Sequence, residues 1–291
     1  MDFKSVFMGL SFGLIWASAF TSARIIVAYA PPLTALSIRF FLAGIIGVLI
    51  AKAMGQSWNL TRGQWRSVVI FGFCQNGIYL GLNFVAMQSI EASLAAIIAS
   101  TMPLLVAMAG WVVFKETIKP MGIVGLVAGM VGVALIMGAR MNGGADLMGV
   151  ILCVIAVISL SVATLSVRSG GAGGNVLMVV GLQMFVGAFV LAIPAALFED
   201  FDVVWSWQLI ASFTYTVLAP GLLATFIWFL LVGRIGTVRA SVYHFATPFF
   251  GVLIASMLLG ERLGIWDVVG VIIIAGGILA VQLSKQSPTR M

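Results

Sequence analysis

The chain has 291 residues, 62% of them hydrophobic and 8% charged, and its mean hydropathy is +1.18. Soluble domains carry about a quarter charged residues, so this composition excludes a water-soluble globule and places the chain in a bilayer. The net charge of +6 would suit a nucleic-acid binder, but the basic residues fall in short loops between apolar stretches, where they set topology; no nucleic-acid partner is expected.

A helix needs about 20 apolar residues to cross the hydrocarbon core. Polar, proline and glycine punctuation divides the chain into ten such stretches: 5–28, 33–51, 66–87, 92–114, 120–138, 147–168, 175–197, 206–231, 238–259 and 266–284. The runs are too long, and too free of alternation, for barrel strands. The fold class is therefore all-α and integral to the membrane. Lys4 followed by an apolar run and Ala28-Tyr29-Ala30 imitates a signal peptide, but the run is too long for a signal core, and Pro31 and Pro32 would follow the cut. The first stretch is read as an uncleaved span. Cys74 and Cys153 lie far apart inside spans and read as small hydrophobes. Trp58, Trp65, Trp111, Trp205, Trp207 and Trp266 lie near span ends, as in an interfacial belt.

The stretches 93–118 and 238–263 follow one pattern. Each is a long apolar helix with a proline near its middle, Pro103 or Pro248, and an acid thirteen positions later, Glu116 or Glu261. Both pairs are offset by 145 residues, and the same offset pairs Gly125 with Gly270 and Gly132 with Gly277. The chain thus divides into two repeats, 1–145 and 146–291, of five spans each. Because five is odd, the second repeat inserts upside down, and inverted repeats around a midplane cavity mark many secondary transporters. With the N-terminus inside, eleven Lys and Arg lie on the inner side (Lys4, Lys52, Arg62, Arg66, Lys115, Lys119, Arg168, Arg234, Arg239, Lys285 and Arg290). Three lie outside: Arg24, Arg140 and Arg262. Glu91, Asp146, Glu199, Asp200, Asp202, Glu261 and Asp267 fall outside as well. Both termini are expected in the cytoplasm. Gly170, Gly171, Gly173 and Gly174 read as a linker between spans six and seven. The Gly77–Gly81 and Gly125–Gly129 spacings read as close helix packing within the bundle, and the protein is expected to work as a monomer.

Unpaired polar groups are costly in hydrocarbon, so those inside spans point to the bundle interior. In span three Asn76, Tyr79 and Asn83 share one helical face, bordered by Gln75. They either hydrogen-bond a substrate's ammonium or carboxylate, or tie helices together. Span nine places Ser241, Tyr243, His244 and Thr247 before Pro248. His244, the only histidine, is either a proton-coupling group or a neutral hydrogen-bonding one. Pro103 and Pro248 free backbone carbonyls and bend their helices, Pro103 beside Ser100 and Thr101. The rings of Trp16, Tyr79, Trp228 and Tyr243 either pack or form a pocket that stacks on an aromatic solute and covers its ammonium. Arg39, the one charge inside a span, is a candidate to hold a substrate carboxylate; the expectation adopted is that it snorkels outward or pairs with a carbonyl near the outer end of span one. With Arg39 so placed, no charge is left for the cavity, which favours a neutral or zwitterionic solute. One histidine and scattered acids suggest neither a metal nor a cofactor, nor an enzyme.

Leu14-Ile15-Trp16-Ala17-Ser18-Ala19-Phe20, then Pro31-Pro32, then Ile38-Arg39-Phe40 resembles the opening of the drug/metabolite transporter superfamily. The two proline-to-glutamate stretches resemble the paired EamA repeats of that superfamily, over essentially the whole chain. Within it, the sequence is most similar to bacterial YddG-type exporters. That resemblance implies ten helices around a central cavity lined by both repeats. It also implies export of aromatic and other neutral amino acids (Phe, Tyr, Trp, Met and Thr) across the inner membrane. On these grounds the chain is expected to work by alternating access. Spans one, three, four, six, eight and nine would line the path, with Trp16, Asn76, Tyr79, Asn83, Ser100, Trp228, Tyr243 and His244 as binding residues and Pro103 and Pro248 as hinges. A carrier for another neutral metabolite or drug, a channel, and a lipid-modifying membrane enzyme are the alternatives.

Overall fold

The computed structural model describes residues 3–113, 115, 119–166, 174–236, 240 and 242–285. Of the residues singled out above, Glu116, Arg168, Gly170, Gly171, Gly173, Arg239, Ser241 and Arg290 lie outside the described residues. Among the described residues ten helical spans follow in order: α1 (Phe3–Val27), α2 (Pro32–Ala53), α3 (Arg62–Ala86), α4 (Ala92–Val112), α5 (Pro120–Asn142), α6 (Leu147–Ser166), α7 (Val176–Phe198), α8 (Trp207–Ile235), α9 (Thr247–Leu259) and α10 (Ile265–Lys285). Eight of the spans are long and apolar enough to cross a membrane, and the apolar stretches Thr247–Leu259 and Ile265–Val281 are shorter. The outward faces carry bare hydrophobics such as Phe7, Leu49, Ile193 and Ile272. Lipid solvates such side chains, so nothing drives them inward.

Two spans break where the prolines fall. α4 stops at Ala99, turns through Ser100 and Thr101, and restarts at Met102 with Pro103 in its first turn. α9 starts at Thr247 with Pro248 in its first turn, after the 3-10 turn Val242–Ala246, so the helix is shorter than the sequence pattern suggests. Proline lacks the N–H and its ring clashes with the preceding turn, so the first turn of a restarted helix is where it fits.

Two further irregularities go beyond the sequence reading. α3 and α8 contain π-helical segments, Gly72–Tyr79 and Val217–Ala224, related by the same 145-residue offset as the prolines. In α8 Pro220 sits inside the segment and cannot donate to the carbonyl of Thr216. Carbonyls loosened in this way need new partners where water is absent. Ser159 Oγ donates to the Cys74 carbonyl (2.8 Å), Arg39 Nε to that of Thr216 (3.2 Å), and Thr225 Oγ1 to that of Pro220 (3.4 Å).

The repeats meet through their counterparts, α2 along α7 and α5 along α10. At the second interface the contacts are crossed: Gly125 faces Gly277, and Gly132 faces Gly270. Helices whose offset partners are 125 with 270 and 132 with 277 cross in this way when they run antiparallel about a two-fold axis. That is the inverted relation expected from the odd span count. A Cβ on Gly277 would stand 2.6 Å from the Gly125 carbonyl oxygen, so the two backbones touch. Gly77 and Gly81 likewise face Val190 and Leu191 of α7, so both glycine spacings serve packing inside the bundle.

The acids gather on the face opposite the termini for a local reason. α2, α4, α6 and α10 all begin there, and a helix start offers unpaired N–H groups and a positive dipole end. Glu199 accepts from the N–H groups of Leu33 and Thr34 (2.8 and 2.7 Å). Glu261 accepts from those of Ala92 and Ser93 (2.8 and 3.0 Å). Asp146 accepts from the Gly149 N–H and the Ser89 hydroxyl (both 2.8 Å), and Asp267 from the Gly264 N–H (2.8 Å). Arg140 pairs with Asp267 at 2.9 Å and with Glu91, and Arg24 donates to the Met87 carbonyl. Together these contacts form a clasp that ties helix ends at that face. The Ser89 hydroxyl, helped by the Gly149 and Met148 N–H groups, holds the exposed Asp146 carboxyl below the usual aspartate range.

Candidate functional site

Two cavities adjoin in the middle of the bundle. The larger, about 30 Å³, is walled by Trp16, Phe20 and Ala23 of α1, Arg39 and Phe40 of α2, and Gln75, Asn76, Tyr79 and Asn83 of α3, with Met184 of α7 and Thr216, Pro220 and Thr225 of α8. The smaller, about 10 Å³, is walled by Phe12, Trp16, Gln75, Leu160, Thr164, Thr225, Trp228 and His244. Trp16, Gln75 and Thr225 belong to both. Phe12 precedes Trp16 along α1 and Ala23 follows it, so the smaller cavity lies towards the terminal face and the larger towards the opposite one. Spaces of this size hold a water molecule or two, so the walls must part to admit a metabolite.

Rings divide and shape this space. The Trp16 and Tyr79 rings are parallel to within 3°, with centroids 6.3 Å apart. On the other side Phe12, Trp16 and Trp228 meet His244 edge-on, at 5.1, 5.8 and 5.2 Å between centroids. Trp16 and Trp228 are buried, whereas the other six tryptophans are exposed near span ends. The amides tie helices together: Asn76 Nδ2 donates to the Gln183 carbonyl of α7 (3.0 Å). Asn83 Nδ2 donates to the Tyr79 carbonyl (2.8 Å), and its Oδ1 accepts from the Cys153 thiol (3.4 Å). The helix-tying reading therefore holds for these groups, although both side chains still border the cavity. Cys74 and Cys153 are free thiols, and no cluster of three metal-ligating side chains occurs among the described residues.

The structure brings Trp16, Asn76, Tyr79 and Asn83 to the larger cavity and Trp16, Trp228 and His244 to the smaller. Two expected residues border neither. Ser100 is buried and its hydroxyl donates to the Ile97 carbonyl of its own helix (2.6 Å), the bond a serine makes when its helix ends one turn on. The Tyr243 ring fills the space over Gly9 of α1, within 2.3 Å of where a Cβ would stand. α4 walls neither cavity, against expectation, because its break turns its polar groups onto its own backbone. α2 and α7 contribute instead, through Arg39, Phe40 and Met184.

Arg39 refines the sequence reading. It does not snorkel: it is 3% exposed, walls the larger cavity, and pairs with the carbonyl of Thr216, whose hydroxyl meets Ser22 in the outer part of α1. Phe12, Phe40, Met184, Thr216 and Thr225 were also missed. The repeat offset held a usable signal, since it maps Arg39 onto Met184 and Gln75 onto Pro220, all four in the cavity wall.

Comparison with known proteins agrees with this architecture. The EamA-like transporter family matches the chain twice, over residues 3–138 and 147–283. Similar proteins include the uncharacterized transporter YvbV of Bacillus subtilis, 24% identical over 94% of this chain and 90% of that one. The uncharacterized inner membrane transporter YedA of Escherichia coli is 25% identical over 94% and 88%. A probable amino-acid metabolite efflux pump of Salmonella typhimurium is 22% identical over 96% and 94%. One crystal structure superposes with a TM-score of 0.70 at 19% identity, over 97% of this chain and 98% of the other, a likeness of fold. With both repeats matched and ten spans in place, the chain is a multi-pass membrane transporter and not an enzyme: it belongs to the EamA-like transporter family.

Proposed function

We propose that this transporter carries small neutral or zwitterionic amino acids, aromatic ones foremost, out of the cytoplasm by alternating access. The observation that carries the reading is the parallel Trp16–Tyr79 pair standing between two enclosed cavities. A flat solute body that lies against these rings keeps its apolar contact while it passes from one cavity to the other. Asn76, Asn83 and Gln75 offer amide groups beside that path, and Trp228 and His244 frame its terminal end. The Salmonella relative, named a "probable amino-acid metabolite efflux pump", supports the solute class.

In this mechanism residues 1–145 and 146–291 rock as two units about the breaks at Pro103 and Pro248. The clasp of Arg140, Glu91, Asp267 and Glu261 parts when the face opposite the termini opens. Both termini lie in the cytoplasm, the membrane is the bacterial inner membrane, and one chain suffices. Basic residues crowd the terminal side, which supports that orientation.

The test is counterflow into proteoliposomes loaded with unlabelled phenylalanine or methionine and offered labelled amino acid outside. Transient accumulation above equilibrium, lost in Tyr79→Ala and His244→Ala, is the expected result. No accumulation by intact, folded protein removes the amino-acid assignment. Accumulation unaffected by crosslinks that pin α4 to α9 removes the rocking mechanism.

A further inference from the structure

The buried cation in the cavity wall points to what the solute must present. Arg39 lies in α2, 3% exposed, and its Nε donates to the Thr216 carbonyl at 3.2 Å. Its guanidinium carbon stands 4.7 Å from the centroid of the Phe40 ring, so one flank is covered by that aromatic face. Its remaining N–H groups have no partner among the described residues. The acids among the described residues, from Glu91 to Asp267, sit at the face opposite the termini, and none walls either cavity. The ion pairs among the described residues involve Arg140 instead.

The neighbouring backbone leaves room for this cation. A Cβ on Gly221 would stand 3.3 Å from Arg39 Nη2 and 2.9 Å from the Thr216 oxygen. Proline at 220 and glycine at 221 therefore act together: one cannot donate to the carbonyl that orients the guanidinium, and the other opens the space its fork occupies. A buried, unpaired cation is held at a cost unless something neutralises it. A guanidinium whose Nε is already engaged presents its other N–H groups to a planar acceptor, and a carboxylate is the acceptor that fits such a fork.

Resting on the cavity proposed above as the solute site, we infer that Arg39 is its carboxylate-binding residue. The solute recognised there is a monocarboxylate with an apolar or aromatic body, whose amino group adds little. The carboxylate sits between Arg39 and the amides of α3, and the body lies towards the Trp16 and Tyr79 rings. The described walls hold a fixed cation and no fixed anion, so the recognised charge is the carboxylate rather than the ammonium.

The test uses the full-length protein in proteoliposomes and three probes of matched shape. They are phenylalanine, 3-phenylpropanoate (no amine) and phenethylamine (no carboxylate), each titrated for binding to wild type, Arg39→Lys and Arg39→Gln. In wild type, 3-phenylpropanoate binds within about threefold of phenylalanine, and phenethylamine binds about 10- to 100-fold more weakly, the range of a charge-assisted hydrogen-bonded contact. Arg39→Gln brings both carboxylates down to the level of phenethylamine and leaves phenethylamine unchanged, while Arg39→Lys retains part of the preference. Where Arg39→Gln does not fold, the wild-type series decides, together with Gly221→Ala, which crowds Nη2 and lowers carboxylate binding selectively. Equal binding of phenethylamine and 3-phenylpropanoate to wild type, or equal loss of all three probes in folded Arg39→Gln, overturns the inference and leaves the amino-acid reading standing. Binding of 3-phenylpropanoate without phenylalanine keeps the inference and removes the amino-acid reading. Binding of none overturns both.

Discussion

Two neighbouring glycines of α10 give a controlled test of the repeat interface. Gly277 faces α5: an added Cβ would lie 2.6 Å from the Gly125 oxygen, 2.7 Å from the Gly129 nitrogen and 3.0 Å from its Cα. All three atoms are backbone, so no side chain can turn away, and the helices must part by about 0.8 Å to restore ordinary contact. Overpacking of this kind costs about 1–3 kcal/mol. Alanine recovers about 1 kcal/mol of helix propensity over glycine, so Gly277→Ala is destabilising or at best neutral. Gly276, one residue earlier, meets nothing within 4 Å, so Gly276→Ala keeps the propensity gain without the clash. The two variants should therefore differ by about 1–3 kcal/mol, or several degrees in Tm at about 2–4 °C per kcal/mol. The assay is unfolding of the purified transporter in one detergent, followed by tryptophan fluorescence. Equal Tm values for the two variants would refute the backbone contact between α5 and α10, and with it the crossed geometry of the repeats.

Three other outcomes follow from particular contacts. Glu261→Gln keeps the shape but not the charge that meets the Ala92 and Ser93 N–H groups. It should cost about 1 kcal/mol at that helix start, read as roughly fivefold faster hydrogen exchange of those two amides; unchanged exchange would contradict the clasp. The Asp146 carboxyl is lowered on folding, so its contribution is present above the ordinary aspartate range and is lost as pH falls below about 4. Asp146→Asn should accordingly flatten the acid limb of stability against pH in that window and leave neutral pH unchanged in slope. Trp16→Ala should weaken phenylalanine binding about tenfold by removing the stacked ring, whereas Ser100→Ala, whose hydroxyl serves its own helix, should stay within about twofold; equal effects would misplace the cavity.

Arg39 and the two asparagines show how far residue type carries an argument about a site. Asn76, Tyr79 and Asn83 were legible because α-helical spacing alone puts them on one face, and cost alone turns that face inward. What their amides bond is not written in that spacing: Asn76 reaches the Gln183 carbonyl, 107 residues away, and Asn83 the Cys153 thiol, 70 residues away. Arg39's burial in the cavity wall was not legible, because an isolated helix gives an arginine no reason to stay at depth. The reason lies on α8, where Pro220 withholds a donor and Gly221 withholds a Cβ. Ser100 and Tyr243 lie away from both cavities, since a break in one helix and a glycine on another absorb groups that the sequence leaves available.

The amino-acid sequence by itself determined the solvent, the number of spans and the inverted repeat, because these depend on composition, run length and an offset. Each is a one-dimensional quantity. It also determined where α4 and α9 break, because a proline's missing N–H acts locally. Only the tertiary structure decided which walls enclose the cavity and which polar groups remain to face it. Those outcomes depend on donors, acceptors and missing side chains on helices far apart in the chain. In a membrane interior without water, such partners are the only means of satisfying what each helix leaves unpaired.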